Sequence, residues 1–500
     1  MNAHAAMPLL VLASSLVPGL VIFALPEQWR WQRTVLNLAG ALAKLALIGV
    51  MVAGVLRGEH YEVRHTVLPG LELVLRADPL AILFLALSAA LWFLTTLYAV
   101  GYLEGAPERS RFFGFFSLCV TATVGVAMAG DLFTFFFFYE LLTLSTYPLV
   151  VHRGTPKALR AGAVYLAYTL AGGALLLAAI AWLYSLQGQA EFAHGGVLAA
   201  LGPARHGQLR LIFLLLVAGL GVKAALVPLH GWLPHAMVAP APVSALLHAV
   251  AVVKAGAFGI VRVVYDVFGV EFAQSLQLLA PLAAAACITI LWGSLRALWQ
   301  DGLKRRLAYS TISQVAYIVL GVALFGPLGT VGALAHLVHQ GIMKITLFFC
   351  AGNYAETLGV HKVSQMDGVG RRMPLTTAAF TLGALGMMGA PLTAGHVSKH
   401  YLMAGADAAG APWAGWVLIA SSVLNAGYFL PIIYRAWFRR PPGHWPNESI
   451  ARRGLRETTL LLLVPPLVSA LAVVAAAIFA DAPWSPVSWA RMIAAREYLR

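Results

Sequence analysis

The segment from Gly219 to Tyr265 is apolar enough to lie in a bilayer, yet it contains basic side chains and several prolines. A charged lysine at the middle of a membrane costs about 2.5–3.5 kcal/mol on insertion scales. A proline inside a helix removes a backbone donor and interrupts the hydrogen-bond ladder. Both features are tolerated where a segment faces other helices or a water-filled cavity. The segment therefore indicates a path for an ion or a proton.

The composition is that of a membrane protein. Hydrophobic residues make up 60% of the 500-residue chain, and charged residues make up only 11%. A soluble domain carries roughly 25% charged residues, so this chain cannot cover a water-facing surface. Its net charge of +14 does not indicate nucleic-acid binding, because the basic residues lie mainly in short loops between apolar runs. Positive loops of this kind orient a multi-pass protein.

Apolar runs of about 20 residues, the length that crosses a bilayer, mark the predicted spans. Fourteen such runs occur, at 7–26, 34–56, 78–102, 111–129, 132–151, 159–186, 209–229, 236–265, 274–298, 305–325, 329–355, 374–403, 411–438 and 459–482. They predict an all-α polytopic membrane protein. Prolines make 219–242 and 386–400 the least regular parts. Asp131 is predicted to cap the fifth helix.

Lysine and arginine are unevenly distributed between alternate loops. If the N-terminus is outside, the inside loops hold 18 of these residues and the outside loops hold 5. The longest polar stretch, 439–457, is one of the inside loops. This bias predicts an even number of spans and both termini on the outer side of the membrane.

Two proline-interrupted segments lie at matching places in the two halves of the chain. Lys223 precedes Pro228 in the first segment, and Lys399 follows Pro391 in the second. Each segment is followed by a span that contains Ala-Gly-x-Phe. Paired breaks of this kind are typical of transporters built from repeats. A chance match between such short segments is the alternative.

Ionisable residues inside otherwise apolar runs are the candidate site. They are Glu140, Lys223, His248, Lys254, His336, Lys344 and Lys399. Four phenylalanines precede Glu140 and exclude water from it, and Lys223 is its expected partner. A pair that alternates between contact and separation can load and release a proton. A static buried ion pair that holds two helices together is the alternative.

The spacing of the other candidates suggests a relay. Lys254 follows His248 by six residues, about 9 Å along a helix, so the two are expected on different faces as successive stations. A histidine bonded to a nearby carbonyl is the alternative for His248. His336 and Lys344 are eight residues apart and are expected on one side of their helix. Lys399 lies near a span end, where a side chain that reaches the membrane surface is the alternative.

The sequence predicts no metal, no cofactor and no catalytic site in this chain. The three cysteines lie far apart in apolar runs, and the His336/His339 pair has no carboxylate or cysteine in the next turn. There is no nucleotide-binding loop, Gly-x-Ser-x-Gly or flavin motif. Whether Lys44, His235 or His339 takes part in ion movement stays open.

Four stretches resemble the antiporter-like subunits of respiratory complex I, membrane-bound hydrogenases and Mrp-type cation/proton antiporters. They are 130–140, 223–248, 301–314 and 390–395 with Lys399, within a similarity over roughly 75–440. The resemblance implies two inverted repeats, formed by helices four to eight and nine to thirteen, with helices seven and twelve broken. It divides the chain into 1–110 (helices one to three), 111–265 (first repeat), 266–440 (second repeat) and 441–500 (helix fourteen and tail).

The resemblance also implies a role for each ionisable residue in the first half. Glu140 and Lys223 match the paired carboxylate and lysine of the first half-channel. Lys254 matches the lysine that connects the two half-channels, and His248 precedes it. Pro228 matches the break in the seventh helix.

In the second half, His336 and Lys344 match the ionisable positions of a broken eleventh helix. Lys399 matches the terminal lysine of the second half-channel, and Pro391 matches the break in the twelfth helix. Some relatives carry a glutamate at the position of Lys399, so this lysine favours an Mrp D-type pattern. The chain departs from many relatives at Ala390, where they have a second proline, and it carries no long lateral helix.

Together with the ionisable residues, the resemblance implies a proton-translocating subunit of a multisubunit complex in the bacterial cell (inner) membrane, with both termini on the periplasmic side. At most it is the pumping subunit of a translocase such as NADH:quinone oxidoreductase. Its expected partners are other membrane subunits, protons, a monovalent cation and the lipid bilayer, with no nucleic acid. One alternative is a proton-conducting subunit that energises a soluble zinc partner for inorganic carbon uptake. The others are a redox subunit with its own quinone site and a scaffold that has lost conduction.

Overall fold

The structure, a computed structural model, describes residues 3–448 and 457–498 and is built mainly of helices. In chain order the helices are α1 (Ala3–Ala24), α2 (Arg30–Leu56), α3 (Pro79–Tyr102), α4 (Arg109–Met128), α5 (Leu132–Val150), α6 (Pro156–Gln187), α7 (His206–Lys223), α8 (Trp232–His235), α9 (Ala241–Ala249), α10 (Val252–Arg262), α11 (Val270–Ser275), α12 (Leu279–Leu298), α13 (Leu303–Ala323), α14 (Pro327–Leu358), α15 (Val369–Arg372), α16 (Pro374–Met388), α17 (Ala394–Ala408), α18 (Pro412–Phe438), α19 (Leu460–Ile478) and α20 (Pro486–Tyr498).

Within those residues, 12 helices are long and apolar enough to cross a membrane, which confirms an all-α polytopic membrane protein. The predicted spans 305–325 and 374–403 are not among the 12. α13 covers the first of these spans, but it begins with Leu303-Lys304-Arg305-Arg306 and is less apolar. The second is divided into α16 and α17, each of 15 residues and too short to cross alone. The count of fourteen therefore stays a prediction.

Side-chain caps explain where several spans begin. Asp131 Oδ1 accepts a hydrogen bond from Thr134 N at 2.7 Å, which confirms it as the cap of α5. Asp78 caps α3 and Thr155 caps α6 in the same way, each followed by a proline at the first helical turn. Proline is favourable there because its missing N–H has no partner inside the helix.

Both predicted proline breaks are confirmed. α7 ends at Lys223, and the chain then turns through the cis Val227–Pro228 bond towards the short α8. α16 ends at Met388 and α17 begins at Ala394, with Pro391 between them. Since proline donates no backbone hydrogen bond, the helical ladder cannot continue through either segment.

Two features of the spans differ from expectation. The eleventh span, expected to be broken, is one continuous helix, α14, with a proline only at its first residue, so nothing interrupts its ladder. The eighth span is interrupted instead, between Ala249 and Val252. Here Ala251 N donates to Leu246 O at 2.9 Å in a wider turn than that of an α-helix. Both spans lie at the centre of the molecule, where almost all their residues are buried.

A β-hairpin and the C-terminal helix α20 were not predicted. The strands β1 (Glu62–Leu68) and β2 (Leu71–Arg76) pair antiparallel. The Glu191 carboxylate ties the hairpin to the loop after α6, through Arg64 Nη1 at 2.6 Å and Arg76 Nη2 at 2.8 Å. The signal for the hairpin was present as a Leu-Pro-Gly-Leu turn between two runs with alternating polar residues.

Loops predicted on the same side of the membrane meet one another. The hairpin and the loop after α6 are joined through Glu191, and both were predicted outside. Four loops predicted inside line one shared cavity: 152–160, 230–241, 299–306 and 356–373. The alternation of loops therefore agrees with the predicted order of spans. Part of the predicted inside loop 439–457, residues 449–456, lies outside the described residues.

Substitution of Gly256 tests the close contact between α10 and the end of α7. A Cβ at this position would overlap Ala224 N and stand 2.7 Å from Leu220 O. Gly256→Ala should therefore push the helices apart and lower the unfolding free energy by about 1–3 kcal/mol. A Cβ added at Gly49 in α2 would have no heavy atom within 4 Å. Gly49→Ala is therefore the matched control and should leave the unfolding free energy unchanged or slightly raised. Equal Tm values for the two purified variants would contradict this contact.

Candidate functional site

The first pair of candidate residues lies where α5, α6 and α7 meet. Glu140 is half-buried, and Gly173 of α6 leaves room for its carboxylate, since a Cβ there would stand 2.5 Å from Oε1. Lys223, the last residue of α7, is fully buried. Its Nζ donates to the Tyr139 carbonyl and lies 3.3 Å from the centroid of the Tyr139 ring.

Glu140 and Lys223 do not form a direct ion pair. The Glu140 Oε1 atom is buried and has no hydrogen-bond partner among the described residues. The charge of Lys223 nevertheless acts on the carboxylate, so the two groups remain electrostatic neighbours. The geometry is that of a separated pair, and it differs from the static ion pair considered as an alternative.

α10 and α14 bring Lys254, His336 and His339 together, and all three side chains are fully buried. Lys254 Nζ donates to Leu337 O at 2.7 Å, and its charge acts on both histidines. Leu337 lies between the two histidines in sequence, so this hydrogen bond joins α10 to the part of α14 that carries both.

α17 extends this centre through Ser398 and Lys399. Ser398 Oγ and His336 Nδ1 are 2.8 Å apart. Lys399 Nζ donates to Met387 O at 2.8 Å and to Ser422 Oγ at 3.1 Å. Only 6% of Lys399 is exposed, so its side chain does not reach the membrane surface as the alternative required. Its charge acts on His336, which therefore lies between two buried amines.

His248 makes a second contact between the eighth and eleventh spans. The His248 ring stacks on Phe348 with centroids 4.5 Å apart, and the charge of Lys344 acts on it. Lys344 Nζ donates to Leu307 O at 3.2 Å. The expectation that His248 and Lys254 occupy different faces of one helix was wrong. Both side chains meet α14, because the chain is interrupted between α9 and α10.

The candidate ionisable residues form a row of stations, from Glu140 to Lys399. Three lysines of this row donate hydrogen bonds to backbone carbonyl oxygens. Among the described residues, the acceptors are Tyr139 O for Lys223, Leu337 O for Lys254 and Leu307 O for Lys344, and none of these lysines meets a carboxylate at ion-pair distance. In a low-dielectric interior, a change of charge on one group acts strongly on the next. Such a row can pass charge from station to station.

Unpartnered polar atoms surround the central stations. Among the fully buried side chains with at least one polar atom that finds no partner in the described structure, six lie on α9, α13 or α14 near these stations: His248, Gln314, Tyr317, His336, His339 and Gln340. Buried polar atoms in proteins are nearly always hydrogen-bonded, either to protein or to internal water. Water between these side chains could supply the missing hydrogen-bond partners.

Sequence reasoning missed several of these residues. Tyr139, Ser398 and the amides Gln314 and Gln340 lie at the site, but only the charged and imidazole side chains were singled out. A usable signal was present, because an amide in the middle of an apolar run is as costly to bury unpaired as a hydroxyl. The carbonyl acceptors carried no signal, since every residue has one.

The structure shows where Lys44, His235 and His339 lie, the three residues whose part in ion movement the sequence left open. His339 belongs to the centre around Lys254. Lys44 is fully buried in α2, away from the row, and donates to Ser15 Oγ at 2.6 Å. His235 is exposed and lines the cavity formed by the loops. No three His, Cys, Asp or Glu side chains converge within 3–448 and 457–498.

The fold and the site thus define a multi-pass membrane protein with buried basic side chains on interrupted helices. Residues 129–425 match the family described as "NADH:quinone oxidoreductase/Mrp antiporter, TM", and the chain belongs to this family. It is 38% identical over 457 residues to NADH-quinone oxidoreductase subunit N of Desulforudis audaxviator, covering 88% of this chain and 89% of that protein.

Two further comparisons agree with this family. The chain is 29% identical over 394 residues to the D-type component of a Na(+)/H(+) antiporter of Bacillus subtilis, covering 78% of this chain and 79% of that protein. Its structure matches a chain of the membrane-bound sulfane sulfur reductase, an archaeal respiratory membrane complex, with a TM-score of 0.86 at 26% identity. That match covers 97% of both chains. The fold is therefore shared along nearly the whole length.

Gly173 tests whether the Glu140 carboxylate needs the space beside α6. Gly173→Ala puts a methyl group where the carboxylate lies, so proton movement in vesicles should fall about 10- to 100-fold through misplacement of one station. The control is Gly207→Ala in α7, where a Cβ meets nothing within 4 Å and transport should be unchanged. Normal transport in Gly173→Ala would show that the position of the carboxylate does not matter.

Proposed function

We propose that this chain is a proton-translocating membrane subunit of a multisubunit complex. The proton path comprises Glu140, Lys223, His248, Lys254, His336, Lys344 and Lys399. The observation that carries the proposal is the row of buried basic side chains between Lys254 and Lys399, held by uncharged oxygens and surrounded by unpartnered polar atoms. Ionisable residues inside a membrane protein are expensive to bury and usually mark an ion or proton pathway.

Loading and release at the first half-channel follow from the separated pair. Lys223 is held at the Tyr139 carbonyl, while Glu140 has an unpartnered carboxylate oxygen nearby. Movement of the carboxylate towards Nζ favours the ammonium, and its return favours release of the proton. The Glu140 side chain is the mobile partner in this proposal, because Lys223 sits at the end of a helix and is fully buried.

The second half-channel receives the proton at the junction of α10, α14 and α17. His336 lies between Lys254 and Lys399 and bonds Ser398, so it can exchange a proton with either amine through a hydroxyl or water. His248 and Lys344 form a parallel contact nearer the loops. The charge on each group sets the cost of charging its neighbour, which prevents simultaneous loading of adjacent stations.

The larger organisation is part of the same proposal. We infer two inverted repeats, 111–265 and 266–440, preceded by 1–110 and followed by 441–500, because the breaks beside Lys223 and Lys399 lie at matching places in the two halves. The distribution of Lys and Arg supports both termini outside, and the bacterial relatives support a bacterial inner membrane as the location.

The driving reaction is supplied by other chains of the complex. Lys399 favours the Mrp D-type pattern, whereas the relative with 38% identity is named subunit N of NADH-quinone oxidoreductase. Proton translocation with other membrane subunits is common to both interpretations. The comparisons do not favour a soluble zinc partner for carbon uptake or a quinone site within this chain.

Glu140 and Lys223 can be tested with variants that cannot ionise. In membrane vesicles with the intact complex, Glu140→Gln and Lys223→Gln should each reduce coupled proton movement about 10- to 100-fold, since an obligatory proton carrier is lost. The control is Lys44→Gln, which removes an equally buried lysine that lies away from the row. It should lower Tm while transport persists. Unchanged transport in the first two variants, at normal levels of assembled complex, would refute the relay.

The orientation can be tested with two exposed histidines in opposite loops. His60 lies in a predicted outer loop and His444 in a predicted inner loop, and the native Cys119, Cys287 and Cys350 are buried and should label little. A membrane-impermeant maleimide added to intact spheroplasts should label His60→Cys and should label His444→Cys only after lysis. The reverse pattern would place both termini inside.

A further inference from the structure

A basic cavity of about 580 Å³ lies on the face formed by the predicted inside loops. Its lining includes two histidines, no carboxylate among the described residues, and six lysine or arginine side chains. The six are Arg153, Lys157, Arg160, Lys304, Arg305 and Lys362. None of these six residues belongs to the proposed proton path. A volume of this size holds a phosphate group with or without an attached organic part.

Three helices begin at the edge of this cavity, which adds to its positive potential. Lys157 lies in the first turn of α6, Ala241 is the first residue of α9, and Lys304 lies in the first turn of α13. Backbone N–H groups at helix N-termini attract anions. Leu303 N of α13 donates to His361 O and Ala158 N of α6 donates to Thr155, so these helices contribute mainly through their dipoles.

Two nearby acids, Asp301 and Glu356, lie outside the lining and offset only part of the charge of its six lysine and arginine side chains. The Asp301 carboxylate is bound by Ser364, through N at 2.9 Å and Oγ at 2.8 Å. Glu356 acts on Lys304 and His361 from outside the lining. Burial, followed by the charges of Lys304 and Arg153, lowers the pKa of His361 despite the opposing charge of Glu356. The imidazole thus experiences a net positive environment.

We propose that this cavity binds a phosphate group, either the headgroup of an anionic phospholipid or free phosphate. Arginine guanidinium groups recognise phosphate oxygens through paired hydrogen bonds, and three of the six basic residues are arginines. Apolar residues such as Met237, Val238 and Val360 also line the cavity and suit the glycerol and first acyl carbons of a lipid. Basic pockets between transmembrane helices on the cytoplasmic side are suited to acidic lipid headgroups.

An occupied cavity would also act on the proton row, a consequence that rests on the proposed function. Lys304 Nζ donates to Ala239 O at 2.6 Å and to Ser244 Oγ at 3.3 Å, at the start of the helix that carries His248. The charge of Lys304 acts on His248. A bound phosphate therefore fixes α9 and offsets a positive charge that faces the row.

Binding is tested without transport, so that failure of this proposal and failure of the relay are distinguishable. Thermal unfolding of the purified full chain in detergent is measured with short-chain phosphatidylglycerol, with phosphatidylcholine and with inorganic phosphate at equal ionic strength. We expect a higher Tm with phosphatidylglycerol than with phosphatidylcholine. A rise with inorganic phosphate as well identifies the phosphate alone as sufficient, whereas a rise with phosphatidylglycerol only identifies the lipid. Equal Tm values in all conditions overturn the proposal.

Matched variants locate the site. Arg160→Gln with Arg305→Gln removes two side chains from the cavity and should weaken phosphatidylglycerol binding about 25-fold, or about fivefold for each basic contact. Arg371→Gln with Arg440→Gln removes two exposed arginines outside the cavity and should leave binding unchanged. An equal loss in both pairs overturns the assignment. If the first pair does not fold, native mass spectrometry of the unaltered chain decides, because it must retain phosphatidylglycerol in preference to phosphatidylcholine.

Discussion

The cost of burying an ammonium group away from water governs this structure. Lys254, Lys344 and Lys399 are buried inside a bundle that offers them no carboxylate at ion-pair distance among the described residues. Each one is held by a main-chain carbonyl instead. A carbonyl oxygen has two lone pairs, so a helical carbonyl can accept a lysine without losing its own ladder bond. At Met387 the acceptor lies at a helix end, where the break leaves the carbonyl available.

These contacts require helices that approach closely. Gly341 of α14 faces the Ala249 carbonyl, and a Cβ there would stand 2.9 Å from the oxygen. Gly256 brings α10 against the end of α7 in the same way. Small residues allow backbones in membranes to come together, which lets a lysine from one helix reach a carbonyl of the next. Breaks and glycines are therefore two parts of one arrangement that satisfies buried amines.

The spans could be predicted from composition, and two of the breaks from proline. Both were predictable because apolar composition and the missing proline N–H act locally in the chain. The break between α9 and α10 could not be predicted, since the sequence from His248 to Lys254 contains no proline or glycine. This interruption lies where Gly341 meets the chain, so it depends on tertiary contact. The candidate residues were recognisable by charge, but their partners were not. Leu337 O and Leu307 O belong to distant helices, and a backbone acceptor leaves no mark in a sequence.

The interruption of the eighth span has a consequence for charge movement. Six residues separate His248 from Lys254, and on one uninterrupted helix they would point in different directions. The break lets both meet α14, His248 beside Lys344 and Lys254 beside His336. In the proposed organisation, α9 and α10 thus contact the half that holds His336, Lys344 and Lys399 at two levels. In the proposed path, charge crosses between the halves at this junction, so displacement of the short α9 would alter one crossing while Lys254 keeps the other.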